Sequence, residues 1–197
     1  MEEKKEKTIQ KAREYFHKYW YRKASLSDLI AETGISKPTF YNYFKNKEEL
    51  FNAVMLATYN EFQYEYGRRV KSAANAMEKL DILVHTYGWF LDTYPLFADL
   101  HKPGNDLMPR WLKSRNSKDL FAEGLAIMRS ILEQGREEGL FNPRLDLEKA
   151  SLILYSILTL LPASNLGACQ ERDKPAAGVD LETLLSLLGE GLLQRNA

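Results

Sequence analysis

A three-residue break, Gly-Ile-Ser at positions 34–36, limits the fold of this chain more than any other feature. Apolar residues recur at helical spacing before the break, from Leu26 to Ile30, and again after it, at Phe40 and Phe44. Two short helices joined by a glycine-containing turn of three or four residues form a helix-turn-helix, whose second helix enters the major groove of DNA. The sequence therefore predicts such a motif over residues 25–47.

The residues around the break have the chemistry of helix ends. Gly34 can adopt the left-handed conformation that closes a helix, and Pro38 falls in the first turn of the next helix, where its missing N–H has no cost. Asn46 is a favoured N-cap, and Glu49 completes a pair that resembles a capping box. We therefore expect one helix from about Ser25, a second over residues 37–43, and a third from Asn46 onward.

The outward face of the second helix carries side chains that suit DNA. An asparagine such as Asn42 pairs with adenine through two hydrogen bonds, and a lysine such as Lys37 reaches the acceptors of guanine. Hydroxyl and ammonium groups suit phosphate oxygens, a role predicted for Tyr41 and Lys47. A plain pair of packed helices with a solvated basic face is the alternative, because helical hairpins are common in all-α folds. The predicted DNA contacts are Ser25, Ser36, Lys37, Pro38, Thr39, Tyr41, Asn42, Tyr43, Lys45 and Lys47.

The distribution of charge supports a DNA-binding unit at the N-terminal end. The formal net charge of the 197 residues is zero. Residues 11–47 contain eight Lys or Arg against three Asp or Glu, a net charge of +5, so the remainder of the chain carries −5. A basic unit joined to an acidic body is typical of a DNA-binding domain attached to a domain that does not bind DNA.

Helical periodicity continues along the rest of the chain, without the sustained alternation typical of strands. The first helix is predicted to carry Ile9, Ala12, Phe16 and Tyr19 on one face. The helix that begins at Asn46 is predicted to be long, to reach toward Lys71 and to link the two units. Further helices are expected at about 77–92, 96–102, 106–113, 118–138, 147–161 and 181–193. The predicted fold is all-α, with a three-helix DNA-binding domain at residues 1–50 and a helical domain at residues 51–197.

Other classes of protein fit the sequence poorly. The single cysteine, Cys169, excludes an intrachain disulfide, and the three histidines are scattered, so no metal site is predicted. The motifs of serine hydrolases, zinc peptidases and nucleotide-binding enzymes are missing, and we predict neither an enzyme nor a cofactor.

The charged N-terminus is not followed by an apolar signal segment. The longest apolar stretch, residues 152–163, is too short to span a bilayer, so a cytoplasmic location without a membrane partner is expected.

Residues 9–54 resemble the N-terminal domain of the TetR family of transcriptional regulators. The resemblance is densest over GISKPTFYNYFKNKEEL, residues 34–50. The chain departs from the commoner family residues at three positions, where Trp20 replaces Gly, Ala24 replaces Thr, and Pro38 replaces Gly. Ala24 lacks the hydroxyl that a helix cap or a phosphate contact needs.

The resemblance implies a homodimer that binds double-stranded DNA and a small effector. The C-terminal helices, residues 118–138 with 147–166 or 181–193, would form a four-helix bundle between the two copies. The implied function is that of a regulator, usually a repressor, which the effector releases from an imperfectly palindromic operator. A dimer suits this role because two heads that read half-sites about one helical turn apart add their contacts.

Residues 59–128 are rich in aromatic side chains, which suit an apolar ligand pocket with a few polar groups. An ordinary aromatic core is the alternative. Two other functions stay open for the chain as a whole: an enzyme that acts on a hydrophobic metabolite, and a dimeric interaction module that has lost DNA binding. The predicted contacts to a largely hydrophobic effector are Phe62, His85, Trp89, Phe121 and Tyr155.

Overall fold

The computed structural model describes residues 2–99 and 115–160, and the regular elements in these two ranges are helices. The predicted helices at 106–113 and 181–193 lie outside the described residues. The predicted all-α fold is confirmed. The helices are α1 (Glu2–Lys23), α2 (Leu26–Thr33), α3 (Lys37–Tyr43), α4 (Lys47–Arg69), α5 (Ala76–Thr93), α6 (Pro95–Asp99), α7 (Arg115–Glu137) and α8 (Leu147–Leu160), and a 3-10 turn, Val70–Ser72, follows α4.

Helices α1, α2 and α3 and the first turns of α4 form an N-terminal head around one aromatic core. Phe16 of α1, Leu29 of α2, Phe40 of α3 and Leu50 of α4 are each completely buried. Phe44, which follows α3, packs against Phe40 with ring centroids 5.6 Å apart. The inward face predicted for α3 is therefore correct, and the opposite side of this helix faces outward.

The prediction that Tyr19 shares one face of α1 with the buried Phe16 is wrong, and the reason is a break in the backbone of α1. Trp20 has φ 60° and ψ 148°, which is not helical. The chain resumes its helical course with Tyr21 turned inward, where its ring lies 5.7 Å from that of Phe16 and 4.8 Å from that of Phe51. Tyr19 stays 40% exposed and Tyr21 only 8%. A continuous helix would have placed these two side chains the other way round.

The second half of α4 packs with α5, α7 and α8 to form the body. Phe62 of α4 contacts Tyr87 and Phe90 of α5, with ring centroids 5.9 and 5.3 Å apart. Helices α7 and α8 approach closely at Gly124, because a Cβ there would lie 2.2 Å from the ring of Tyr155. Helix α4 therefore belongs to both units, as predicted, and the division between residues 50 and 51 remains a prediction.

None of the helices within residues 2–99 and 115–160 has the length and apolar character needed to cross a membrane.

The backbone conformation of Trp20 predicts that glycine at this position makes the protein more stable than alanine does. Dihedral angles of this kind are almost restricted to glycine and cost other residues about 1–3 kcal/mol. Trp20→Gly is therefore expected to unfold with a free energy about 1 kcal/mol greater than Trp20→Ala, the reverse of the order inside a helix. Urea denaturation followed by circular dichroism measures both values. A more stable alanine variant would show that this position is helical.

Candidate nucleic-acid interface

Two serines and a glycine hold α2 and α3 at a fixed angle. Ser25 caps α2, since its Oγ accepts a hydrogen bond from the N–H of Asp28. Gly34 ends the helix with φ 72°, in the left-handed conformation predicted for it. Ser36 then caps α3, where its Oγ accepts from the N–H of Thr39 at 3.3 Å. Local hydrogen bonds thus set the geometry of the motif, and DNA contacts by Ser25 and Ser36 remain predictions.

The outer face of α3 is open. Lys37, Pro38, Tyr41 and Asn42 are exposed, and Tyr41 presents 54% of its surface. These side chains stand opposite the buried Phe40, so they protrude where a recognition helix meets the edges of bases. Of the remaining residues predicted to contact DNA, Thr39 and Tyr43 are half-buried at the edges of this face and Lys45 is exposed just beyond it.

The start of α4 is fixed against the end of α3. Asn46 Oδ1 accepts from the N–H of Glu49 at 2.8 Å, and Glu49 Oε2 accepts from the N–H of Lys45 at 2.6 Å. The predicted Asn46 cap is confirmed. The reciprocal bond reaches the residue before the cap, so it differs by one position from a regular capping box. This arrangement places Lys45 and the first turn of α4 beside the exposed face of α3.

Lys47 has partners that the sequence did not indicate. Its ammonium donates to the carbonyl oxygens of Tyr21 and Ala24, at 2.8 and 2.9 Å, and lies 4.4 Å from the centre of the Tyr21 ring. The contacts tie the end of α1 to the start of α4. Phosphate binding by Lys47 therefore stays a prediction, and the structure gives this side chain a second role inside the head.

The five predicted effector contacts do not share one site. Phe62 is buried in the body, and Phe121 and Tyr155 form an edge-to-face pair between α7 and α8, with centroids 5.2 Å apart. His85 is exposed, with Nδ1 2.9 Å from the carbonyl oxygen of Asp81. Trp89 lies under the guanidinium of Arg69. The four-residue step from His85 to Trp89 follows the outer stripe of α5, away from the face that packs on Phe62.

Three tyrosines reach the interior of the body from different helices: Tyr59 from α4, Tyr87 from α5 and Tyr155 from α8. Burial raises the pKa of Tyr59 to about 12 and also raises the pKa of Tyr87 and Tyr155, whose phenol groups interact electrostatically with each other and with that of Tyr59. At neutral pH all three are uncharged hydrogen-bond donors. Tyr59 and Tyr87 are not among the residues predicted to contact the effector, although the inward register of α5 could have indicated Tyr87.

Across residues 2–99 and 115–160, histidine, cysteine and acidic side chains do not gather in groups of three or more that could hold a metal ion.

Residues 9–54 match the family model for bacterial regulatory proteins of the tetR family. The N-terminal head therefore carries the sequence signature of the TetR family. The match covers the head and the first turns of α4, so α3 corresponds to the recognition helix of a DNA-binding regulator.

Two curated relatives have regulatory roles. The chain is 24% identical over 143 residues to the fatty acid metabolism regulator protein of Bacillus subtilis, covering 70% of this chain and 71% of that protein. It is 45% identical over 47 residues to the HTH-type transcriptional repressor ComR of Escherichia coli, covering 24% of this chain and 22% of that protein. The match to ComR covers only 47 residues, which is about the length of the head.

Solved structures share the fold over nearly the whole chain. FadR from Bacillus subtilis in complex with stearoyl-CoA superposes with a TM-score of 0.66 and 20% identity, covering 94% of this chain and 93% of that chain. AibR in complex with isovaleryl coenzyme A and operator DNA superposes with a TM-score of 0.63 and 15% identity, covering 96% of this chain and 98% of that chain. The chain therefore shares the overall fold of these two proteins.

The exposed face of α3 predicts different roles for two neighbouring side chains. Asn42→Ala is expected to relax the preference for one base pair by about 1–3 kcal/mol, because a bidentate contact to one base is lost. Affinity for random DNA should stay the same. Binding titrations with a site selected from a random pool, with its single-base variants and with random DNA measure this change.

Tyr41→Ala is the matched control, since loss of a phosphate contact weakens binding to every sequence alike. Equal losses on selected and random DNA for Asn42→Ala would show that Asn42 does not read a base.

Proposed function

We propose that this TetR-family protein is a homodimeric repressor that binds a palindromic operator and is released by a small, largely hydrophobic effector, an acyl thioester. The observation that carries the proposal is the open outer face of α3, where Lys37, Tyr41 and Asn42 protrude from a head whose core is complete without them. A regulator of this kind acts where the DNA is, in the cytoplasm, and it performs no catalysis.

Exposed apolar side chains on α7 and α8 support the dimer. Leu152 and Ile153 of α8 are 46% and 58% exposed, and Phe121 of α7 is 41% exposed. Large apolar side chains clustered on neighbouring helices are typical of an interface with another protein. A second copy of the same surface would bury them in a two-fold bundle built from residues 118–138 and 147–166, with residues 181–193 as the alternative partner for the first segment.

The interior of the body supports an effector with an apolar, uncharged portion, such as an acyl chain and its thioester. Phe62 packs against Tyr87, and Tyr155, one of the three tyrosines, packs against Phe121. His85 and Trp89 lie on the outer stripe of α5 as candidate contacts at the edge. Neutral phenol groups donate hydrogen bonds to a carbonyl oxygen in apolar surroundings, which suits a thioester carbonyl. Stearoyl-CoA and isovaleryl coenzyme A are the ligands in FadR and AibR, and this chemistry is what we infer for the present chain.

Titration of DNA binding with salt and with acyl-CoA tests the proposed function. The operator is first selected from a random pool, and affinity is followed by fluorescence anisotropy. Affinity should fall steeply as salt rises, and saturating stearoyl-CoA or isovaleryl-CoA should lower it by about tenfold or more. Free CoA is the control. Affinity that is independent of salt would refute DNA binding, and affinity that no acyl thioester changes would refute the effector.

The dimer interface makes a separate prediction. Ile153→Glu places a charge where the partner's apolar surface would bury it, so the variant should sediment as a monomer and lose most of its operator affinity. Tyr64→Glu is the control, because Tyr64 is 74% exposed on α4, which does not belong to the proposed bundle. Analytical ultracentrifugation measures both variants. A dimeric Ile153→Glu protein would place the interface elsewhere.

A further inference from the structure

Three side chains join the head to the body at one point. Arg13 of α1 donates from Nη1 to Glu61 Oε1 of α4 at 2.5 Å. The hydroxyl of Tyr94, the residue between α5 and α6, donates to the other carboxylate oxygen of Glu61. The Arg13 guanidinium also lies over the Tyr94 ring, 5.2 Å from its centre. Both carboxylate oxygens of Glu61 thus accept a hydrogen bond. We refer to Arg13, Glu61 and Tyr94 as the junction cluster.

Beside the junction cluster the two units are separated by a cleft. It has a volume of about 170 Å³ and lies between α1, the middle of α4 and the segment that leads into α6. Arg13 and Tyr94 of the junction cluster line this cleft, together with His17 of α1 and Thr58 of α4. The junction cluster therefore lies at the edge of a gap between the two units, where its polar contacts bridge α1, α4 and the segment before α6.

We propose that Glu61 and Tyr94 are positioning residues for operator binding, which act through Arg13 to fix the angle of the head on the body. The inference rests on the proposed function of a dimeric DNA-binding regulator. A change in the angle of α1 moves α3, because both helices share the core around Phe16 and Phe40. The two recognition helices of a dimer reach their half-sites only at a spacing of about 34–36 Å or a multiple of it.

The junction cluster is suited to positioning because it contributes little to the stability of the fold. The side chains of Arg13 and Glu61 are 26% and 44% exposed. Ion pairs that water reaches stabilise a protein only slightly, so their loss leaves the core of each unit intact. What is lost is one fixed contact between α1, α4 and the start of α6, and with it the preferred orientation of the head.

Glu61→Gln tests the proposal against an exact charge control. Removal of a negative charge should by itself strengthen binding to DNA. A loss of positioning should instead weaken binding to the full operator by about 5- to 20-fold, whereas binding to a half-site duplex should be no weaker than that of the wild type. Glu65→Gln makes the same charge change one turn further along α4, where the partners of Glu65 are Arg68 and Arg69 of the same helix. It should not weaken binding to either DNA.

Two further variants separate positioning from damage to the fold. Tyr94→Phe keeps every charge and should weaken full-operator binding in the same direction as Glu61→Gln. The double variant Arg13→Glu, Glu61→Arg exchanges the two charges. On a logarithmic scale, its loss of operator affinity should be less than half of the loss in Glu61→Gln. Thermal unfolding of each variant is measured in parallel, and Tyr94→Phe decides the question if Glu61→Gln does not fold.

The outcomes distinguish this proposal from the proposed function. A wild-type protein that does not bind DNA would end the proposed function. A wild-type protein that binds, with Glu61→Gln equal to Glu65→Gln on the full operator, would overturn only the role of the junction cluster. Equal losses on operator and half-site would also overturn it, because a single head does not depend on the spacing between two.

Discussion

The head depends on the contacts of the Lys47 ammonium, which lies in the corner between α1 and α4. Its bonds to the carbonyl oxygens of Tyr21 and Ala24 hold the end of α1, and the Tyr21 ring below it closes the aromatic core with Phe16 and Phe51. Helix α2 begins directly after this corner, so the same contact sets where the helix-turn-helix starts. The exposed face of α3 is therefore placed by a side chain that the sequence alone assigns to phosphate.

The ends of α2 and α3 could be predicted because they depend on neighbours in the sequence. Gly34 supplies a left-handed turn, and Ser36 caps the next helix through an N–H three residues away. The error at Tyr19 has the opposite origin. A tryptophan gives no local sign that its φ will be positive, and Trp20 adopts φ 60° because Tyr21 is required in the core. Tertiary packing overrode the local preference there.

The same distinction between local sequence effects and tertiary packing explains which parts of the candidate sites could be predicted. The outer face of α3 followed from the burial of Phe40 and Phe44, since the helical period then fixes which side chains point away. The effector contacts did not follow, because composition shows that a region is aromatic without showing which stripe of α5 faces inward. Tyr87 faces Phe62 in the interior, whereas the predicted contact Trp89, two residues further on, lies beside Arg69 on the outer stripe.

The charge of the head explains why its orientation can control binding. Of the basic residues that give segment 11–47 its net charge of +5, Arg13 bonds Glu61, Lys47 bonds carbonyl oxygens, and Lys11 donates to the carbonyl of Glu32 at the end of α2. Fewer cations than the sequence suggests therefore face the phosphates, and phosphate contacts dominate affinity for DNA. A single head would then bind weakly, so firm binding by the proposed dimer would need both heads at the spacing of the half-sites. In the proposed mechanism, a junction that sets this spacing controls affinity without touching DNA, and an effector bound in the body could release the operator through it.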